Sequence, residues 1–334
     1  MKFMFTPIIL MSSMSLFTST IMAMSSTNWI ILWTAMELNL LSFIPILLQS
    51  NNNQETEGAV KYYLAQALGS AMLLMSSVAL WTTYFPLSFI MPTALIIAIL
   101  LKLGSVPCHF WYPSVMASVS WTSCLILSTW QKLAPLSIIS FLLPQKNMLI
   151  ISTMAGMNAL VGGMMGMNQS QLRSIMAYSS IGHIGWMMSL LTINKPTASM
   201  MYFAAYSLLI TPLFMSMSYF NIGTTKQMSS NAYSTMGIHI SMMLMLMSLG
   251  GLPPFTGFMP KLMTIMMLSE PMKPLVMMLI AGSVMNLFFY LNIVINMMFS
   301  TTPHKSKYLK QPTYNTIMAS LTLMSLGMTP LIMI

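Results

Sequence analysis

The chain has no aspartate, one arginine (Arg173) and two cysteines, and charged residues make up only 5% of its 334 positions. Soluble domains carry about 25% charged residues. No polar stretch here is long enough for a soluble domain, which excludes a cytosolic enzyme or an appended module. Cys108 and Cys124 lack the C-x-x-C spacing of an iron–sulfur or zinc centre and read as core thiols rather than a disulfide. Neither a G-x-G-x-x-G fingerprint nor a P-loop occurs, which argues against a nucleotide site.

What remains is apolar. Hydrophobic residues make up 56% of the chain and the mean hydropathy is +0.76. The fold expected is an all-α polytopic membrane protein forming one membrane domain. Methionine reaches 44 residues, filling positions that Leu and Ile usually take. That excess fits a genetic code with an additional Met codon, as in animal mitochondria. Met1-Lys2-Phe3 leads into the first apolar run without an Arg/Ser-rich transit stretch, so this run is read as a retained helix.

The net charge is +9, from four glutamates (37, 55, 57 and 270) against twelve lysines and Arg173. The basic residues are scattered singly, apart from Lys305, Lys307 and Lys310. They read as loop orienters or buried functional groups, not as a nucleic-acid surface.

A spanning helix needs about 20 mostly apolar residues. Eleven runs qualify: 4–24, 27–48, 58–83, 90–112, 117–141, 147–167, 173–192, 198–220, 237–268, 274–298 and 314–333. With eleven spans the termini lie on opposite faces. Lys2, Arg173, Lys226, Lys305, Lys307 and Lys310 fall on the N-terminal face; Lys146, Lys195 and Lys273 fall on the other. The positive-inside rule then puts the N-terminus inside, which is the matrix if the compartment is mitochondrial.

The fourth run contains Leu101-Lys-Leu-Gly-Ser-Val-Pro-Cys-His-Phe-Trp-Tyr-Pro113, and the ninth Gly250-Gly-Leu-Pro-Pro-Phe-Thr-Gly-Phe-Met-Pro-Lys261. Pro107 cannot donate to the Leu103 carbonyl, and Pro253 and Pro254 remove the bonds to Leu249 and Gly250. Both breaks fall in the fourth helix of a five-helix count. The chain therefore divides as 1–141, a first five-helix repeat; 147–299, an inverted second repeat; and 313–334, a C-terminal helix. Paired broken helices in inverted repeats point to a transport site.

Four ionisable groups stand well inside these runs: Glu37, Lys102, Lys132 and Lys261. A charge at the bilayer centre costs about 2.5–3.5 kcal/mol on insertion scales, and such groups usually pair and act. Lys132 lies about 13 Å from the nearer end of its run at 1.5 Å per residue, too deep to snorkel comfortably. Burial disfavours a charged ammonium and a nearby carboxylate restores it, so a lysine with a movable carboxylate partner suits proton loading. Glu37 is the expected partner of Lys102, with Lys132 and Lys261 carrying the proton onward. The competing reading of each is a static, ion-paired brace. His183 and His109 are further candidates, each weighed against a satisfied structural histidine. Lys61, four residues into its helix, is a further relay candidate, weighed against a lysine that snorkels to the membrane surface.

These stretches resemble a known family. Residues 101–111, Thr129-Trp-Gln-Lys-Leu-Ala-Pro135, Asn168 to Trp186, Leu249 to Lys261, Met36-Glu-Leu-Asn39 and Thr56 to Tyr63 are similar, in order and over the whole chain, to the chain 2 family of NADH–ubiquinone oxidoreductase. The resemblance implies an antiporter-like membrane-arm subunit of respiratory complex I in the mitochondrial inner membrane. It implies two inverted five-helix bundles joined by a hydrophilic axis, with Glu37, Lys102, Lys132 and Lys261 as the relay. Lys261 stands where some antiporter-like relatives carry a glutamate, and lysine is the chain 2 form. The resemblance also implies neither cofactor nor metal in this chain, the FMN, iron–sulfur clusters and ubiquinone belonging to other parts of the complex. Expected partners are the other membrane-arm subunits and inner-membrane lipids such as cardiolipin. A stand-alone cation/proton antiporter and a mainly structural scaffold remain as alternatives.

Overall fold

The computed structural model describes residues 7–49, 52–81, 90–142, 148–225, 227, 236–253 and 255–299. Among them the secondary structure is helical apart from turns and one isolated antiparallel bridge, Gln171 with Thr224. Residues cluster into two compact units, Met1–Ile150 and Ile151–Ile334.

The first unit contains α1 (Pro7–Ser25), α2 (Trp29–Leu47), α3 (Asn53–Trp81), α4 (Ile90–Leu103), α5 (Trp111–Ser118), α6 (Trp121–Ser128) and α7 (Trp130–Leu142). Helix α1 packs on α2 and α7, α3 packs on α2, α4 and α5, and α4 packs on α7. By length and composition α1, α2 and α3 can each cross a membrane. Met11, Ile21, Leu64 and Met75 point outward, as lipid-facing side chains do. Serine and threonine are common here without exposing polar groups to hydrocarbon. Their hydroxyls donate back into the helix, as Ser19 Oγ does to the Leu16 carbonyl (2.9 Å) and Ser137 Oγ to Ala134 (2.7 Å).

The second unit begins within α8 (Met148–Met167) and continues through α9 (Leu172–Leu191), α10 (Pro196–Phe220), α11 (Met236–Gly250), α12 (Phe258–Leu268) and α13 (Lys273–Met298). Helices α8, α10 and α13 are long and apolar enough to span. Helix α9 is the central one: 18 of its 20 residues are buried, and it packs against α10, α12 and α13. Protein on every side lets α9 carry Ser179, Ser180 and His183 at depth.

The run at 90–112 is interrupted, as its break segment implies, and the run expected as one helix at 117–141 is two helices as well. Helix α4 stops at Leu103 and α5 starts at Trp111. The second run divides at Thr129, where the Leu125 carbonyl accepts from the Thr129 amide (3.0 Å), the Thr129 hydroxyl (2.7 Å) and the Ser128 hydroxyl (3.0 Å). That overloading draws the chain out of the regular ladder. Pro135 inside α7 has no N–H for the Gln131 carbonyl, which further loosens its first turn. Lys132 consequently sits in the first turn of a short helix, not nine residues deep in a long one. Pro254, Lys2, Lys146, Lys226, Lys305, Lys307, Lys310 and the helix expected at 314–333 lie outside the described residues.

Candidate functional site

Both helix breaks use the same local device, and glycine sets it. At the end of α4, Gly104 adopts φ 68° and its N–H donates to Leu101 (3.1 Å), while the Ser105 N–H reaches back to Leu100 (3.0 Å). At the end of α11, Gly251 adopts φ 82°, its N–H donates to Ser248 (3.0 Å), and the Leu252 N–H reaches Met247 (3.4 Å). These are Schellman closures with glycine in the left-handed region. The helix has already ended when the chain reaches Pro107 or Pro253, so the prolines prevent resumption rather than cause the stop. The bond preceding Pro107 is cis.

A closed helix end still leaves carbonyls needing donors. At the first break the Lys102 carbonyl accepts from Gln66 Nε2 (3.1 Å), and the Leu101 carbonyl accepts from the Trp111 indole (3.0 Å). At the second break one group serves. Lys261 Nζ donates to the Gly250 carbonyl (2.8 Å) and to Leu249 (3.3 Å). The first break is closed by neutral donors, the second by a lysine.

Around the first break the unit gathers Glu37, Lys102 and Lys132. Lys102, in the last turn of α4, is 6% exposed, with its stem against Gly69 of α3. Glu37 accepts from Ser70 Oγ (2.7 Å) and lies within electrostatic reach of Lys102 without touching it. Lys132 is 2% exposed and its ammonium stands 4.8 Å from the centroid of the Tyr112 ring. Tyr112 is in turn seated on Gly104, where an added Cβ would approach Tyr112 Cβ to 2.8 Å. One glycine thus ends α4 beside Lys102 and makes room for the ring beneath Lys132.

In the second unit Lys261 is 5% exposed. Separately, His183 Nδ1 lies 3.0 Å from Tyr202 Oη, with the Tyr206 ring 4.9 Å away. Tyr202 lines a cleft of about 420 Å³ shared with Lys195 and Thr264. The Thr264 hydroxyl donates to the Lys261 carbonyl (2.7 Å).

Two sequence candidates fall differently. Lys61 pairs with Glu57 at 2.6 Å on an exposed face of α3, away from the three buried lysines. His109 is buried in the turn after Pro107, its ring 4.2 Å from Phe110. Sequence reading overlooked Tyr112, Gln66, Gln131 and Asn39, the residues packed around the two lysines. Gln131 lies inside a recognised motif next to Lys132, and Gly104 and Gly251 each stand three residues before a proline in matching segments, so both signals were present.

Comparison with known proteins gives the family. A family model described as NADH:quinone oxidoreductase/Mrp antiporter, TM, matches residues 26–288. NADH-ubiquinone oxidoreductase chain 2 of Lumbricus terrestris is 61% identical over 340 residues, covering 100% of both chains. The chain 2 of Equus asinus is 38% identical over 332 residues, covering 95% of each. Among solved structures, a chain of respiratory complex I from Thermus thermophilus superposes with a TM-score of 0.85 at 18% identity, covering 96% of this chain and 78% of that one. A chain of the Mrp complex from a Dietzia species gives 0.82 at 13% identity, covering 95% and 74%. An all-helical chain with buried lysines beside its helix breaks, matched over its full length by these relatives, belongs to the NADH-ubiquinone oxidoreductase chain 2 family of antiporter-like membrane subunits.

Proposed function

We propose that this chain moves protons across the mitochondrial inner membrane as a subunit of complex I. Electron transfer from NADH to ubiquinone takes place in other subunits, which also hold the flavin, the iron–sulfur clusters and the quinone. The N-terminus lies on the matrix side, and the chain contacts neighbouring membrane-arm subunits and lipids such as cardiolipin.

The observation that carries the reading is the burial of three lysines, Lys102, Lys132 and Lys261, at 6%, 2% and 5% exposure in otherwise apolar helices. Keeping an ammonium away from water costs several kcal/mol. Each of the three lies at or beside an interruption of the helical ladder, where backbone groups and hydroxyls supply polar surroundings. Glu37 supplies the negative charge that favours a proton on Lys102, and its contact with Ser70 holds it near without locking the two together. Lys132, resting on Tyr112, takes the proton next. Lys261 serves the second unit.

The test is the assembled complex reconstituted in liposomes with Lys132→Met. Assembly with reduced proton movement per electron supports the relay, whereas unchanged pumping rejects it. One observation favours a second reading for Lys261 alone. Its two bonds to the carbonyls at the end of α11 are those of a structural brace. Lys261→Gln, which keeps a donor and removes the charge, separates the two roles.

A further inference from the structure

The cleft of about 420 Å³ in the second unit lies between α10 and α12, and its two ends are unlike. Met201 of α10 faces Pro260, Met263 and Met267 of α12 across it. Positions 260, 263 and 267 fall on one side of α12, a stripe about 10 Å long at 1.5 Å per residue. Met201 is 63% exposed, so the cleft opens sideways onto the membrane.

Polar groups at its outer end are free. Helix α10 is long and apolar enough to span and begins at Pro196, which puts Lys195 and Thr197 at the level of the lipid headgroups. Both are exposed, and among the described residues the Lys195 side chain has neither an ion pair nor a hydrogen bond. Thr192 Oγ1 donates to Met272 Sδ (3.7 Å), which holds the turn carrying Lys195 beside the turn carrying Glu270 and Lys273. The rim therefore has two cations against one carboxylate. At the inner end the polar groups are taken. Tyr202 Oη lies 3.0 Å from His183 Nδ1, and Thr264 Oγ1 donates to the Lys261 carbonyl (2.7 Å).

We propose that this cleft binds one anionic phospholipid, its phosphate on Lys195 and Thr197 and an acyl chain along Met201, Met263 and Met267. A groove that is apolar along its length and cationic only at headgroup level has the same order of polarity as such a lipid. Basic groups at the ends of grooves between membrane helices recognise anionic headgroups, and the surrounding bilayer supplies the ligand. Methionine side chains are unbranched and flexible, so these walls can follow an acyl chain whose bends vary. A chain lying there covers Tyr202 and Thr264 from the membrane side. The inference gives the lipid contact of the proposed function a place in the fold. It rests on the reading of the chain as a membrane-arm subunit and not on the proton relay.

The experiment uses the intact complex, purified, stripped of loosely held lipid and reconstituted with phosphatidylglycerol as the one anionic lipid. An electron-microscopy map should show a headgroup within hydrogen-bond distance of Lys195 and a tail between α10 and α12. The same density should be lost in Lys195→Glu and kept in Lys195→Arg, at equal yields of complex. Met201→Trp, which narrows the groove and leaves the rim intact, should displace the tail. A helix of another subunit seated in the groove overturns the site, as does a resolved but empty groove. Equal density in phosphatidylcholine alone, or in Lys195→Glu, overturns the anionic headgroup. These maps are read whether or not Lys132→Met pumps, so the lipid site and the relay fail separately.

Discussion

Lys261 Nζ donates to the carbonyl of Gly250 at 2.8 Å, so a cation buried in the second unit also closes the C-terminus of α11. The equivalent carbonyls of the first unit are closed by Gln66 and Trp111, neither of which carries charge. On the proposed relay, any shift of Lys261 during turnover must release a helix end as it occurs. In the first, the lysines can change charge while the break stays closed.

Lys261→Met leaves the Leu249 and Gly250 carbonyls without their donor. Hydrogen bonds to charged groups contribute about 1.5–3 kcal/mol each, so assembly and thermal stability should both fall. Lys261→Gln should restore stability but not pumping. Native-gel yield and proton movement per electron, measured on both variants, read the two effects separately. Normal pumping in the glutamine variant makes Lys261 a brace.

Gly251→Ala places a Cβ 2.7 Å from Lys261 Nζ at a residue with φ 82°. Left-handed backbone costs an L-residue about 1–2 kcal/mol before any clash. Gly104→Ala adds a Cβ against Tyr112 at φ 68°. Both should lower the amount of assembled complex, and Gly104→Ala should also disturb Lys132 through Tyr112. Wild-type yield and turnover in either variant would show that the breaks do not depend on glycine.

Glu37→Gln keeps a partner for Ser70 and removes the negative charge near Lys102. Proton movement per electron should drop while assembly holds. Ser70→Ala retains the charge and should have a much smaller effect. Equal losses in the two variants would mean that the hydrogen bond, not the charge, is what matters.

Lys61→Met removes an exposed i,i+4 pair with Glu57. Solvent screens a pair this exposed, so it contributes little to stability. Turnover, pumping and yield should all stay at wild-type levels, and a pumping defect would return Lys61 to the relay.

Much of this was legible in the residues. Glu37, Lys102, Lys132 and Lys261 stood out because hydrocarbon tolerates few charges. The two breaks are visible as punctuation, marked in the residues by Pro107 and Pro253, while Gly104 and Gly251 set the stop. That distinction is backbone geometry, and φ is not written in composition. The division at Thr129 was missed because serine and threonine are neutral in a spanning helix until their hydroxyls crowd one carbonyl. Gln131, Asn39 and Tyr112 were missed for a different reason. Each is ordinary on its own helix, and only packing from α2, α3, α5 and α7 brings them to the lysines.

The most direct test of the account is the proton-to-electron ratio of complex I carrying Lys132→Met, measured in sealed liposomes alongside Lys61→Met. The account predicts an assembled enzyme with a reduced ratio for Lys132→Met and a wild-type ratio for Lys61→Met. A wild-type ratio in an assembled Lys132→Met complex would contradict it.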